Sequence, residues 1–385
     1  MTTRKHITIY DIAREAQVSP ATVSRILNGS GTVREEKRLR VQALIEKYNF
    51  QPNAMARALS DAHTRVIGMM LADVSNPYYN SLFTAVVNAA YQRGYATMMF
   101  NTLSRAELED AAMARLCEQR ADAMIIMGGR IDLDVPDPAF ERSLNMVLET
   151  MPVVSASRSG RENILSVAVD HPGSMDVAMD YLLGLGHTEI GFVYTGAQFY
   201  GTREKVERFR LRMVQAGLNV REEWMIPVKG YDSPSGRDGA EKLLQMKKRP
   251  TALLGLNDLI AVGVLQGLLS GGVKVPEEIS LIGFDDTFLT NVMTPQLTAV
   301  GYDYDEYAAM LMDAVTAAVE GREIERCRLV TPRLFEKQSC AVYGRRKSSL
   351  TRSFPPKNAP FAYSPDGSPG GKRCKESLAE QGFRS

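Results

Sequence analysis

A chain of 385 residues, 44% hydrophobic and 24% charged, is long enough for two or three domains and too apolar to be wholly disordered. Its net charge of +1 conceals a division: residues 1–65 carry +5, residues 66–345 carry −9 and residues 346–385 carry +5. A basic head on an acidic body suits a protein whose contact with nucleic acid is confined to one end.

The first helix signal is Thr8 followed by Asp11, a capping-box spacing that satisfies an orphan backbone N–H and sets an acid at the positive helix end. Ile9, Ile12, Ala13 and Ala16 then share one face. Ser19 caps a second helix, with Pro20 at the first helical position, where a missing N–H costs nothing. Val23, Ile26 and Leu27 form the core face of that helix, while Pro20, Ala21, Thr22, Ser24 and Arg25 face away. Helix, turn (Gln17, Val18) and helix make a helix-turn-helix. A third helix from about Arg34 to Tyr48 carries apolar Leu39, Val41, Leu44 and Ile45, and Asn49 is its left-handed stop. Gln51-Pro52-Asn53 restarts the chain into a short helical run, Ala54 to Leu59, that holds Arg57 and an unburied Leu59.

This stretch resembles the headpiece of the LacI/GalR family of bacterial transcription regulators. The resemblance is carried by Thr8, Asp11, Ala13, Val18, Ser19, Thr22, Val23, Ser24, Arg25, Asn28, Val33, Arg38, Val41, Pro52, Asn53, Ala56, Arg57 and Leu59. It implies that Pro20, Ala21 and Arg25 face base edges in the major groove of operator DNA. Thr8, Tyr10, Ser19, Thr22, Ser24 and Asn28 would contact phosphates, and Leu59, with Asn53 and Arg57 in the same hinge, would be a minor-groove wedge. Two family glycines are replaced, by Gln17 and Asn49. Three amphipathic helices would account for Val23, Leu27 and Val41 without any DNA. They would leave unexplained the small polar residues and Arg25 on the outward face.

From Arg65 onward short apolar runs alternate with amphipathic stretches. Strands are predicted at Val66–Leu71, Thr97–Asn101, Ala123–Met127, Val153–Ala156, Ser166–Val169, Ile190–Tyr194, Ala252–Leu256 and Ile279–Phe284. Helices are predicted at Tyr79–Arg93, Ala106–Arg120, Gly173–Leu185, Thr202–Ala216, Gly236–Met246, Leu259–Leu269 and Asp305–Glu320. This alternation predicts parallel sheets covered on both faces, in two units. The Met69-Met70 and Met98-Met99 pairs read as core.

The body too resembles the LacI/GalR regulators, whose ligand domain is similar to type I periplasmic binding proteins. The carrying segments include Val66-Ile67-Gly68, Asp73 to Tyr79, Gly186-His187, Asn257-Asp258, Ile279 to Asp286 and Pro295 to Thr298. The implied fold is an all-α helix-turn-helix headpiece plus an α/β body of two parallel-sheet subdomains, joined by three crossings, with ligand in the cleft. The boundaries expected are a headpiece at 1–50, a hinge and linker at 51–64, an effector-binding and dimerisation core at 65–345 and a disordered basic tail at 346–385.

Candidate effector contacts stand at strand ends, where open α/β sheets bind ligands. They are Asp73, Asn76, Tyr78, Tyr79, Asn257 and Asp285. Carboxylates and amides exchange hydrogen bonds with sugar hydroxyls, while Tyr rings pack on apolar ring faces. Lys205 stands where the family has an Arg, and Arg208 where it has a Gly; Arg203 is the candidate to compensate, although a lysine does not reproduce a bidentate fork. Arg158 is a further candidate, beside Ser157, where the family often has Asp. Helix capping or ligand contact both fit Asp258 and Asp286, and His187 reads as structural.

Cys117, Cys327, Cys340 and Cys374 form no CxxC pair, which argues for reduced core thiols rather than a zinc site, and no metal or cofactor is expected. MTTRKHIT lacks a signal-peptide core and no apolar run reaches the ~18 residues of a span, so a cytoplasmic location without membrane contact is expected. No GxxxxGK[ST], HExxH or GxSxG motif points to an enzyme. The expected function is a ligand-responsive repressor, a homodimer on a palindromic operator with a sugar or sugar-derivative effector. A solute-binding protein of sugar uptake would fit the body alone, but not the headpiece.

Overall fold

The computed structural model describes residues 7–27, 33–48, 50 and 63–344. The expected roles of Asn28, Asn49, Asn53, Arg57 and Leu59, the hinge run 54–59 and the tail 346–385 lie outside the described residues.

Three helices open the chain: α1 (Ile9–Glu15), α2 (Pro20–Leu27) and α3 (Glu35–Lys47). The capping box forms as spaced: the Thr8 hydroxyl accepts from the Asp11 N–H at 3.3 Å, and the Asp11 carboxylate accepts from the Thr8 N–H at 3.0 Å. Gln17 turns the chain at φ 53°, the left-handed region where a family glycine would sit without strain. Ser19 then caps α2 by accepting from the Thr22 N–H at 3.2 Å. Ile12, Ala13, Ala16, Val23 and Val41 make a small core, flanked by Ile26, Leu27, Leu44 and Ile45. Leu39 stays outside it, 59% exposed, because it points away from the face that carries Val41.

The first α/β unit comprises β1 (Val66–Leu71), α4 (Pro77–Gln92), β2 (Ala96–Asn101), α5 (Ala106–Glu118), β3 (Ala123–Met127), α6 (Pro138–Leu148), β4 (Val153–Ser155) and β5 (Leu165–Val169). The chain then crosses to a second sheet through α7 (His171–Gly184), β6 (Ile190–Tyr194), α8 (Tyr200–Gln215), β7 (Met225–Pro227), α9 (Ser233–Leu244) and β8 (Ala252–Gly255). There follow α10 (Asp258–Ser270), β9 (Ser280–Asp285), α11 (Leu289–Val292) and β10 (Thr298–Gly301). Helix α12 (Tyr304–Val319) and β11 (Cys327–Val330) return to the first sheet, and β12 (Arg333–Phe335) crosses back to the second.

The first sheet has the order β11-β5-β4-β3-β1-β2 and is parallel throughout. The second has the order β12-β10-β9-β8-β6-β7 and is parallel except for β12, which runs antiparallel to β10. Helices on both faces bury the central strands, and this explains their unbroken apolar runs: β3 is buried at every position. Edge strand β2 is the exception. Met69 and Met70 are core, but Met99 is 39% exposed and Met98 only partly buried, because an edge strand lacks neighbours on one side. The helix Pro138–Leu148 was not anticipated, although Asp137 caps it and Pro138 opens it.

Candidate functional site

In the headpiece, packing of Val23 into the small core turns the opposite side of α2 outward. Pro20, Ala21 and Arg25 are exposed there, and Thr22 and Ser24 are partly buried; Tyr10 on α1 is 65% exposed. The hydroxyls of Thr8, Ser19 and Thr22 already serve the caps: Thr8 donates to Asp11 at 2.6 Å, and Ser19 and Thr22 lie 2.9 Å apart. They therefore fix helix starts as well as facing solvent.

In the body, a cavity of about 270 Å³ lies between the two sheets. The carboxyl ends of β1, β3, β4, β8 and β9 converge on it, joined by the crossing segments at His171 and Tyr302. Asp73, Asn76, Tyr78, Tyr79, Arg158, Lys205, Asn257 and Asp285 all line it. Arg203 does not. Its guanidinium turns to Asp134 at 2.8 Å and Glu207 at 3.1 Å, so it cannot compensate for the lysine at 205. Arg208 is drawn away likewise, into a pair with Asp176 at 2.7 Å.

Each wall residue is held by the element beneath it. Asn76 caps α4 by accepting from the Tyr78 N–H at 3.0 Å, and Asn257 caps α10 by accepting from the Ile260 N–H at 2.8 Å. Asn257 also donates to the Tyr231 carbonyl at 3.1 Å. The rings of Tyr78 and Tyr79 meet edge to face at 5.1 Å, and Phe199 and Tyr231 do so at 6.0 Å. The Tyr79 hydroxyl rests against Gly128, at φ 82°, where any side chain would strike the phenol.

The electrostatics follow from burial. Lys205, 5% exposed, donates to the Leu256 carbonyl at 3.2 Å and lies 4.1 Å over the Phe284 ring. Burial pulls its ammonium below the usual range against the opposing attraction of Asp285 and Asp258. Burial raises Asp285 while Lys205 opposes the rise; Asp285 also sits at φ 99°, a strained position for a side-chain residue. Burial pushes Asp132 up to about 6, with the Ser157 hydroxyl working against it. His171 is pushed down to about 3, first by burial and then by Lys205 and Arg158, so it is a neutral imidazole, and its buried Nδ1 meets no partner among the described residues.

Asp132, His171, Phe199, Tyr200, Tyr231 and Tyr302 also line the wall and are not among the residues read from the sequence. Asp132 follows the end of β3, the same signal that marked Asp73 and Asp285, and could have been found. His171 and Tyr302 lie at crossings, which only the assembled fold brings to the cleft. Asp258 and Asp286 stand outside the cavity lining. Asp258 accepts from the Thr287 N–H and hydroxyl at 2.6 and 2.8 Å, and Asp286 binds Lys337 at 2.5 Å. His187 joins Thr251 and the Ala341 carbonyl, each at 3.0 Å.

Residues 8–53 match the family described as bacterial regulatory proteins, lacI family, and residues 179–340 match a periplasmic binding protein-like domain. Catabolite control protein A of Priestia megaterium is 30% identical over 332 residues, 86% of this chain and 98% of that protein. The ribose operon repressor of Escherichia coli (strain K12) is 30% identical over 335 residues, 86% and 99% of the two chains. In fold, the chain is similar to the lac repressor dimer bound to operator and the anti-inducer ONPF, with a TM-score of 0.77 at 22% identity, covering 88% of this chain and 100% of that one.

Proposed function

The chain belongs to the lacI family of bacterial regulatory proteins, and from that premise we propose how its parts divide the work of a repressor. It is a transcription regulator that binds DNA, not an enzyme. The headpiece, residues 1–50, reads one half of an operator, so two copies related by two-fold symmetry read a near-palindrome. Pro20, Ala21 and Arg25 address base edges, while Thr8, Tyr10, Ser19, Thr22, Ser24 and Asn28 hold phosphates. Residues 51–64, with Asn53, Arg57 and Leu59, form the hinge and its minor-groove wedge. Residues 65–345 are the sensor and dimerisation core, and 346–385 a tail.

The effector is a small sugar or sugar derivative in the cleft, in contact with Asp73, Asn76, Tyr78, Tyr79, Arg158, Lys205, Asn257 and Asp285. Its binding shifts the two subdomains between arrangements that space the hinges differently, and a coupling of ~1–3 kcal/mol suffices for a useful switch. The regulator acts in the cytoplasm, where its operator is; no helix of the described residues is long and apolar enough to cross a membrane.

One observation carries this reading: a lacI-type headpiece with an outward polar helix face shares a chain with a cavity lined by strand-end carboxylates and tyrosines. Selection of bound sites from random duplex DNA at physiological salt, using the full-length chain, tests it. Enrichment of a two-fold symmetric site supports the reading. Recovery of unselected sequence, with binding that vanishes as salt rises, counts against it.

A further inference from the structure

The cavity wall holds three carboxylates, Asp73, Asp132 and Asp285, and two cations, Arg158 and Lys205. Each cation already holds a partner of its own. Arg158 reaches the Tyr200 hydroxyl at 3.2 Å and Glu204 at 3.4 Å, and Lys205 donates to the Leu256 carbonyl at 3.2 Å while Asp285 acts on it through space. Asp73 turns one oxygen onto Ser75, 2.9 Å from its N–H and 2.8 Å from its hydroxyl.

Asp132 is half satisfied in the same way as Asp73, but it is held more rigidly. The Ser157 hydroxyl donates to its Oδ1, and among the described residues no donor meets Oδ2. Arg161, the cation that acts on it through space, is itself paired with Glu141, and Glu109 adds a repulsion. The acid is also held firmly in place. It ends a single 3-10 turn, Arg130–Asp132, whose Arg130 is clamped by Glu109 at 2.5 Å, Asp110 at 2.7 Å and Asp137 at 3.1 Å. Gly129, at φ 89°, lets Glu109 pass where a side chain would collide with it. A carboxylate at the wall of a cavity, fixed by its own supporting shell and with one oxygen that meets no donor among the described residues, is preorganised to accept from a ligand.

A hydroxyl of a bound ring would satisfy Oδ2, and the paired aromatic rings would take the apolar face of such a ring. A phosphate or carboxylate in the same volume would add negative charge to a wall that already sets Asp73, Asp132 and Asp285 against Arg158 and Lys205, in surroundings where like charges repel strongly.

We propose that Asp132, steadied by Ser157, is a specificity-determining residue of the effector site, and that the effector is an uncharged, hydroxyl-bearing ring whose phosphorylated and acidic counterparts are rejected. The proposal rests on the reading that a sugar-like molecule occupies this cavity.

The test is calorimetric titration of the full-length chain at neutral pH with aldopentoses, aldohexoses and ketohexoses, each beside its phosphate ester and its sugar acid. At least one neutral sugar should bind, with its anionic counterparts weaker by about tenfold or more (about 1.4 kcal/mol). Asp132→Asn keeps an oxygen for Ser157 but loses the charge. It should weaken binding of that neutral sugar by about tenfold and narrow the gap to the phosphate. An anionic member that binds as well as its neutral partner, or full affinity in Asp132→Asn, overturns the proposal while leaving the cleft as the effector site. Silence across the whole panel overturns both. Should Asp132→Asn fail to fold, the parent's ranking of neutral against anionic members still decides.

Discussion

Arg203 Nη2 lies 2.8 Å from Asp134 Oδ1, a pair that links helix α8 of the second α/β unit to the segment after β3 in the first. Beside it the Asp134 N–H donates to the Gln198 carbonyl at 3.0 Å, and Leu133 and Phe199 form an isolated antiparallel bridge. Together these contacts strap the two units across the cleft. The ion pair is partly exposed, so its effect on global stability is small. Its place across the cleft makes opening the property to measure. Asp134→Ala should leave the melting temperature nearly unchanged while speeding dissociation of a bound neutral sugar a few-fold in stopped-flow measurements. An unchanged dissociation rate would remove the strap from the mechanism.

Two wall residues pull stability in opposite directions with pH. Asp132 has a folded pKa of about 6 against an ordinary 3.8, so the folded chain holds a proton that the unfolded chain releases. Its contribution to stability therefore falls as pH rises from about 3.8 through about 6, and the penalty is complete above that. His171 is the reverse: with about 3 in place of 6.5, stability falls as pH drops through that window, because the unfolded chain takes the proton first. Between them the parent's profile is muted. Asp132→Asn should melt higher than the parent above pH ~7 and lose that advantage near pH ~4. A gain that is equal at both pH values would show that charge burial is not its source.

The turn residue Gln17, at φ 53°, carries a strain that glycine would relieve. Gln17→Gly should stabilise the headpiece by up to ~1 kcal/mol, offset in part by the greater freedom of glycine in the unfolded chain. Hydrogen exchange in the full-length chain would read this as slower exchange at Val23 and Val41, both fully buried. Faster exchange there would mean that the Gln17 side chain supports the turn.

Arg25 projects from α2 on the side opposite Val23. Arg25→Ala should flatten preference at particular operator base pairs while sparing others, as seen in binding to a library of single-base variants. A uniform loss across the library, with a shallower salt dependence, would demote it to a phosphate contact.

Much of the architecture was legible because local signals agreed with one another. Ile190–Tyr194 and Ala123–Met127 are strands as read, and the helix starts at Thr8 and Ser19 are capped as their spacing required. Local signals are weak where an element is short or exposed. Strands β10, β11 and β12 have only three or four residues each, with β11 half open to solvent, so no apolar run announced them. Met99 looks like core in sequence, yet its edge position leaves it 39% exposed, while Met98, partly buried, packs against the core as read.

The sequence by itself determined the headpiece, the two-unit α/β body and the strand-end residues of the cleft, because capping, periodicity and residue type act over a few neighbours. Only the tertiary structure decided how charges were partnered. Whether Arg203 faces a ligand or Asp134, whether Asp258 binds an effector or Thr287, and whether Asp132 is left with an open oxygen all turn on residues distant in sequence. Partnering of charge depends on distance and burial, and both are properties of the packed chain.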